Sequence, residues 1–135
     1  MSVPLVPMEM VGVSMAPWLC RGDILLVDVG VSANELKPGD VVVVQPDGQE
    51  LPLVHRVVRK EGLAIQTKGD RNADLDPPWF PQHLVGRVTQ RHRGGRWKTL
   101  SGGKLLLWIS LGRFYPGQRI PAWFSRSNVK RRLGF

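Results

Sequence analysis

The chain has 135 residues, which fits one domain with its own core, and its apolar content of 42% favours folding over disorder. A single cysteine excludes an internal disulfide and any zinc site built from several cysteines, and we expect no cofactor or metal. The net charge of +8 is uneven: all 11 acidic residues lie at or before Asp76, whereas 12 of the 19 Lys and Arg follow it.

The N-terminal segment, MSVPLVPMEMVGV, has no basic start and contains two prolines, so it does not resemble a secretory signal. The longest candidate for a membrane span, LLLWISL at 105–111, is far shorter than the roughly 20 residues that cross a bilayer. We therefore expect a cytoplasmic protein without a membrane anchor, with a possible peripheral contact at the inner membrane face.

Short β-rich runs separated by Gly and Pro turns follow the N-terminal segment. The stretch GVSMAPWLCRGD presents Ser14 in a turn and leads into a strand at 24–29. Further strands are predicted at 41–45, 51–59, 63–67 and 84–90, and no 3.6-residue period is present before residue 100. This pattern predicts an all-β fold, a small barrel or sandwich.

The character of the sequence changes near residue 92. Beyond it lie a basic, Gly-rich stretch, an apolar run that predicts a short helix at 105–114, and a basic tail. We therefore predict a catalytic β-domain at 1–91 and a basic, Trp-containing, partly helical region at 92–135. That region either packs on the domain or faces an anionic membrane or another partner.

Three segments carry side chains suited to acyl transfer. Ser14 lies in the first turn, His55 lies in the run LPLVHRVV, and TKGDRNADLD offers Asp70, Asp74 and Asp76. A serine hydroxyl becomes a good nucleophile when a histidine takes its proton, and a carboxylate fixes the tautomer of that histidine. Composition alone is a weak signal for such a site.

The order of the blocks GVSMAPWLCRGD, GDVVVV, VHRVV, TKGDRNADLD and LVGRV resembles the signal peptidase I superfamily of serine proteases. The resemblance covers roughly residues 10–90. Some members of this superfamily use a lysine as base, whereas the endoplasmic-reticulum and archaeal type has a histidine at that position. Since His55 stands there, the chain resembles the Ser-His type, and the resemblance implies its all-β fold.

The resemblance implies a role for each matching residue. Ser14 would be the nucleophile, His55 the general base and Asp76 the third member, because Asp76 falls on the last aspartate of the family's GDNNxxDD-like block. Asp70 falls on the first aspartate of that block and either supports the site or pairs with His55 directly. Gly12 and Val13 replace the Ser-Gly of many relatives, so the oxyanion hole would rest on backbone N–H groups, chiefly that of Ser14.

Several other residues have plainer interpretations. Lys68 is interpreted as a turn or scaffold residue rather than a base, and Cys20 as a half-buried thiol. His83 and His92 are predicted to lie on the surface. Trp18 and the pair at 79–80 are core residues, or they line a substrate groove or contact lipid at a membrane interface.

The resemblance implies a serine endopeptidase that cleaves a leader or signal peptide after a small residue, with the substrate bound as an extended strand. The alternative is a non-catalytic module on the same fold that binds nucleic acid or another anionic surface through the basic residues after position 77. That alternative leaves the match at Ser14, His55 and Asp76 unexplained, so we consider nucleic acid an improbable partner.

Overall fold

The computed structural model describes residues 4–100, which form one antiparallel sheet of seven strands. The strands are β1 (Leu5–Glu9), β2 (Ile24–Asp28), β3 (Val41–Val44), β4 (Leu53–Glu61), β5 (Ala64–Lys68), β6 (Leu84–Arg93) and β7 (Arg96–Thr99). Short 3-10 turns at Ala33–Glu35 and Pro81–His83 are the only helical elements among these residues. The prediction of an all-β fold is confirmed.

The strands lie in the order β1-β2-β6-β3-β4-β5, and β7 pairs with the end of β6. All four valines of β3 are buried. Because side chains alternate across a strand, Val41 and Val43 join one apolar cluster while Val42 and Val44 join another. The sheet is therefore covered on both faces at its centre, which explains why β3 reads as a continuous apolar run.

The segment between β1 and β2 is a long hairpin loop that is closed at its base. The Met10 N–H donates to the Asp23 carbonyl, and the Gly22 N–H donates to the Met10 carbonyl, each at 2.8 Å. Gly22 has a φ of +91°, a conformation that side chains rarely adopt, so a glycine suits this corner. Met15 and Leu19 are fully buried and anchor the loop in the core. These contacts fix the position of the loop that carries Ser14 relative to the sheet.

Two strands differ from the sequence prediction. The prediction omitted β1, because Pro4 and Pro7 are unusual in strands, but Pro7 is tolerated where the strand forms an edge of the sheet. It also omitted β7, whose turn residues Gly94 and Gly95 fold the basic stretch back onto β6. The other five strands lie where they were predicted, within a few residues at each end.

The predicted boundary between residues 91 and 92 falls inside β6, which continues to Arg93 and pairs with β7. The remainder of the predicted C-terminal region, including the helix expected at 105–114, lies outside the described residues. The division into two regions therefore stays a prediction. Within residues 4–100, no helix has the length and apolar character needed to cross a membrane.

Candidate active site

Ser14 lies at the exposed side of the loop between β1 and β2, while its neighbour Met15 is fully buried. A tight turn surrounds it, in which the Ala16 N–H donates to the Val13 carbonyl and the Leu19 N–H donates to the Met15 carbonyl. The Ser14 carbonyl accepts a hydrogen bond from the Arg71 N–H at 2.7 Å. These backbone contacts fix the serine and leave its hydroxyl directed at β4.

The structure brings Ser14, His55 and Asp76 together. Ser14 Oγ lies 3.0 Å from His55 Nε2, and His55 Nδ1 contacts Asp76 Oδ2. A carboxylate only accepts hydrogen bonds, so Nδ1 carries the ring proton and the neutral ring leaves Nε2 as an acceptor for the serine hydroxyl. This is the geometry that a serine nucleophile and its general base require.

His55 is buried in β4, where it pairs with Val42 of β3. Asp76 belongs to a segment that follows the outer edge of β5: its N–H donates to the Thr67 carbonyl at 2.8 Å, and its carbonyl accepts from Gln66 Nε2 at 3.1 Å. The Asp76 side chain is 15% exposed, against 3% for His55. The pair is therefore largely shielded from water, which strengthens its electrostatic interaction.

Asp70 does not contact His55. Its buried carboxylate instead forms a bidentate ion pair with Arg56, with both N–O distances at 2.9 Å, and Arg56 also donates to the Gly39 carbonyl. The Asp70 N–H lies 3.3 Å from the Met15 sulfur. The geometry thus favours the supporting role for Asp70 over direct pairing with the histidine.

Lys68 is buried beside this ion pair, and its Nζ donates to the Gly69 carbonyl at 2.9 Å. Burial lowers the pKa of Lys68 below its ordinary value, and the nearby Asp70 and Asp76 offset only part of that effect. Its hydrogen bond to the turn after β5 agrees with the scaffold role inferred from the sequence.

Gly69 allows the turn after β5 to approach the histidine. A Cβ at this position would lie 2.9 Å from His55 Nε2 and 2.6 Å from Asn72 Nδ2, which is closer than real Cβ contacts. The Asn72 N–H closes the turn by donating to the Gly69 carbonyl. Any larger residue in place of Gly69 would therefore clash with the imidazole, which explains the glycine in the TKGD block.

A cleft of about 310 Å³ opens beside Ser14. One wall is the end of β1, an edge strand that is paired only with β2 within the described sheet. The other wall is the segment before and at the start of β4. The lining is mainly apolar: Met8, Glu9, Met10, Val11, Gly12, Ser14, Gln49, Leu51, Pro52, Leu53 and Val54.

The remaining predicted residues have mixed outcomes. His83 is not a surface residue: it is buried, accepts from the Phe80 N–H through Nδ1, and directs Nε2 at Asp47. The 3-10 turn at Pro81–His83 folds it inward, a contact that the local sequence does not reveal. Cys20 is partly buried, as predicted.

Neither Trp18 nor Trp79 lines the cleft beside Ser14. Trp79 is half-buried against the second apolar cluster, and its indole N–H donates to Thr67, a contact that sequence reasoning missed. Trp18 is half-buried and borders a different cavity from the one beside Ser14. Within residues 4–100 no group of His, Cys, Asp and Glu is arranged to hold a metal.

The model of the Peptidase S24-like family matches residues 4–89 of the chain. Among curated proteins, the signal peptidase complex catalytic subunit SEC11 of Lachancea thermotolerans is 35% identical over 113 residues, which cover 75% of this chain and 64% of the relative. The Saccharomyces cerevisiae SEC11 is 41% identical over 111 residues, with the same shares. The Candida albicans protein is 44% identical over 88 residues, covering 56% of this chain and 52% of the relative.

The chain therefore spans less than two thirds of the length of these relatives. No solved structure matches it.

Proposed function

Because this chain belongs to the Peptidase S24-like family, we propose that it is a serine endopeptidase of the signal-peptidase type, with Ser14 as nucleophile, His55 as general base and Asp76 as the orienting carboxylate. The observation that carries the proposal is the continuous hydrogen-bond chain from Ser14 Oγ through the His55 ring to Asp76. Similarity to SEC11 catalytic subunits supports the same chemistry.

The proposed reaction follows from this chain of contacts. Ser14 Oγ attacks the carbonyl carbon of the scissile bond while its proton moves to His55 Nε2. Asp76 stabilises the resulting imidazolium through Nδ1–H, and the imidazolium then donates its proton to the leaving amine. The neutral imidazole next takes a proton from water as the water oxygen attacks the acyl carbon, and it donates that proton to Ser14 Oγ as the ester bond breaks. The original Ser14 proton thus leaves with the amine, and a proton from water replaces it.

The oxyanion of the tetrahedral intermediate needs donors near Ser14. Gly12 and Val13 offer no side-chain hydroxyl, so the donors are backbone N–H groups, that of Ser14 first among them. One such donor contributes about 3 kcal/mol to transition-state stabilisation in serine proteases.

The substrate we propose is a leader or signal peptide bound as an extended strand along β1. Within the described sheet β1 pairs only with β2, so its other edge offers main-chain hydrogen bonds to any sequence, and Ser14 lines the cleft beside it. Cleavage after a small residue is proposed because the resemblance to signal peptidases implies it, and the cleft beside Ser14 is lined mainly by apolar residues. The relatives' designation as catalytic subunits of a signal peptidase complex agrees with this class of substrate.

The proposal is tested with internally quenched fluorescent peptides that carry an apolar stretch followed by small residues. We expect cleavage by the wild-type chain after a small residue, and loss of cleavage in Ser14→Ala and His55→Ala. Asp76→Asn should lower kcat on the order of 10⁴-fold, because the imidazole then loses its orienting carboxylate. Ser32→Ala, which changes an exposed serine in a 3-10 turn, is the matched control.

Two results would change the assignment. Cleavage that persists in Ser14→Ala would exclude Ser14 as the nucleophile. Cleavage that is lost in Asp70→Asn while the fold stays intact, but retained in Asp76→Asn, would transfer the role of Asp76 to Asp70. Our expectation for Asp70→Asn is lower stability instead, because Arg56 would remain buried without its carboxylate.

The expected membrane contact through the C-terminal region involves residues after Leu100, outside the described part of the chain. It stays a prediction, as does the cytoplasmic location. The alternative of a nucleic-acid or anionic-surface module depends largely on the same basic residues, and no described contact favours it.

A further inference from the structure

Asp76 Oδ2 accepts hydrogen bonds from two sides. One donor is the His55 ring, and the other is the Thr67 hydroxyl, whose Oγ1 lies 2.6 Å from the carboxylate oxygen. Thr67 is fully buried in β5, so its hydroxyl must find its partners within the protein. The threonine therefore contacts the same carboxylate oxygen that orients the proposed general base.

The direction of the Thr67 hydroxyl proton is set by Trp79. The indole Nε1 lies 2.8 Å from Thr67 Oγ1, and an indole N–H can only donate. Thr67 must accept from Trp79, and its own single proton is then directed at Asp76. The three side chains form a line of donors, Trp79 to Thr67 to Asp76, that ends at the carboxylate.

Backbone hydrogen bonds keep Trp79 and Asp76 next to β5, so that both side chains reach Thr67. The Asp76 N–H donates to the Thr67 carbonyl, while Trp79 exchanges two hydrogen bonds with Ile65, at 2.8 and 3.0 Å. Between them lie Pro77 and Pro78, which have no N–H to place against the edge of β5. The Trp79 ring packs edge-on against buried His83, with ring centroids 5.6 Å apart. Backbone hydrogen bonds thus hold both Trp79 and Asp76 along β5 without involving Ser14 or His55.

We propose that Thr67 and Trp79 are positioning residues that fix the carboxylate of Asp76, and through it the tautomer and orientation of His55. This inference rests on the proposed function of the Ser14–His55–Asp76 site. Neither residue touches the reacting atoms: Trp79 sets the direction of the threonine hydroxyl, and Thr67 holds the carboxylate oxygen that contacts His55 Nδ1.

The test uses Thr67→Val, which keeps the shape of the side chain and removes its donor, and Trp79→Phe, which keeps an aromatic ring and removes the N–H. In both variants we expect kcat for the cleaved peptide to fall about tenfold or more, with KM changed less than about twofold. Thr67→Ser restores the hydroxyl and should retain most of the wild-type kcat. Thr89→Val, which removes a hydroxyl bonded to the Leu26 carbonyl, and Trp97→Phe, at an exposed ring on β7, are the matched controls.

A second readout does not require cleavage. The proton on His55 Nδ1, bonded to a carboxylate, should give a low-field proton NMR resonance in the wild-type chain. We expect that resonance to move upfield or broaden in Thr67→Val and Trp79→Phe, and to stay in place in Thr67→Ser and in both controls. A merely structural role, which lowers thermal stability alone, would leave the resonance of the folded variant unchanged.

The outcomes separate the two proposals. If Thr67→Val keeps both the wild-type kcat and the wild-type resonance, the positioning role is wrong. If the wild-type chain cleaves no peptide but the resonance responds as described, the positioning role stands and the proposed function fails. Should Thr67→Val not fold, the Trp79→Phe results decide by the same criteria.

Discussion

Ser14 is positioned by its neighbours more than by contacts of its own side chain. Met15 and Leu19 bury their side chains completely, and Arg71 binds the Ser14 carbonyl from the turn after β5. The hydroxyl is left with His55 as its hydrogen-bond partner. A small polar residue followed by a buried methionine is therefore the local pattern that holds the proposed nucleophile on this packed loop.

Gly69 provides a test at the residue scale. In Gly69→Ala the new Cβ would press against His55 Nε2, the atom that faces Ser14, so the imidazole must move away from the serine. We expect kcat for peptide cleavage to fall at least about a hundredfold, since small displacements at a reacting group have effects of that size.

The new Cβ would also contact Asn72, and a double variant shows which of the two contacts lowers kcat. Asn72→Ala removes the other close neighbour of the new Cβ and should by itself be nearly silent. Adding Asn72→Ala to Gly69→Ala should therefore not restore cleavage. Full recovery in the double variant would show that the imidazole is not what the methyl group displaces.

The sequence predicted some residues of the site and missed others. Ser14, His55 and Asp76 were predicted through a resemblance that spans several blocks, and the geometry brings all three together. Thr67 and Trp79 were not assigned to the site, because their hydrogen bonds depend on how the chain after Asp76 folds back along β5. His83 was predicted to lie on the surface because it follows Pro81 and Gln82, but the 3-10 turn at Pro81–His83 buries it.

At the scale of elements, the loop between β1 and β2 is tied to the end of β6. Asp23 closes the base of the loop: its buried carboxylate accepts from the Cys20 N–H and forms a bidentate ion pair with Arg93, at 2.6 and 2.7 Å. Burial raises the pKa of Asp23, but the hydrogen bonds from Arg93 and Cys20 outweigh it and hold that pKa below its ordinary value. The loop that carries Ser14 is thus fastened by a charged contact.

Asp23→Asn should lower the free energy of unfolding by about 1–3 kcal/mol at neutral pH, as expected for a lost hydrogen bond to a charged group. Because the folded pKa of Asp23 lies below its unfolded value of 3.8, the contribution is present above that pH and is lost as the pH falls through the folded pKa. Urea unfolding of both proteins at several pH values measures this difference.

Asp74→Asn, at an exposed aspartate, is the control and should leave stability nearly unchanged. A difference between wild type and Asp23→Asn that stays constant well below the folded pKa would contradict the role given to the ion pair.

The boundaries of buried strands such as β3 and β5 were predicted well, because an apolar run marks each strand and Gly or Pro turn residues lie near its ends. Both strands that were missed are exposed along nearly their whole length, so their sequences carry no apolar alternation that could identify them. Their pairing partners, β2 and β6, determine their conformation instead. This is why β1, the edge strand beside the cleft at Ser14, was not predicted.

At the scale of the whole molecule, a buried group of charges joins the two sides of the site. Arg56 of β4 pairs with Asp70, while Lys68 of β5 lies beside them and holds the Gly69 carbonyl. The paired charges satisfy each other, but the ammonium of Lys68 is held where burial disfavours its charge. Burying the charged Lys68 side chain therefore lowers the free energy of unfolding by an amount that depends on pH.

The sign of that dependence follows from proton binding. The unfolded chain keeps the Lys68 proton up to its ordinary pKa of 10.5, whereas the folded chain releases it at a lower pH. Between these values the unfolded state binds more protons, so the free energy of unfolding rises with pH. As the pH rises towards 10.5, the wild-type chain should therefore gain stability relative to Lys68→Met.

Lys37→Met, at an exposed lysine, is the matched control and should show the same pH slope as the wild type. Chemical unfolding across this pH range gives all three slopes. Equal slopes for wild type and Lys68→Met would mean that the lysine is not desolvated in the folded state.

The proposed activity depends on activation of the Ser14 hydroxyl by His55 for acyl transfer, and this activation is measured by trapping the acyl group on the enzyme. The chain is mixed with a small activated acyl ester, and the acylated residue is located by mass spectrometry of its proteolytic fragments, with Cys20→Ser as background to remove the only thiol. We predict one acyl group on Ser14, formed rapidly in the wild type and in Cys20→Ser and not in His55→Ala. Acylation that forms equally fast in His55→Ala, or that is found away from Ser14, would contradict the account.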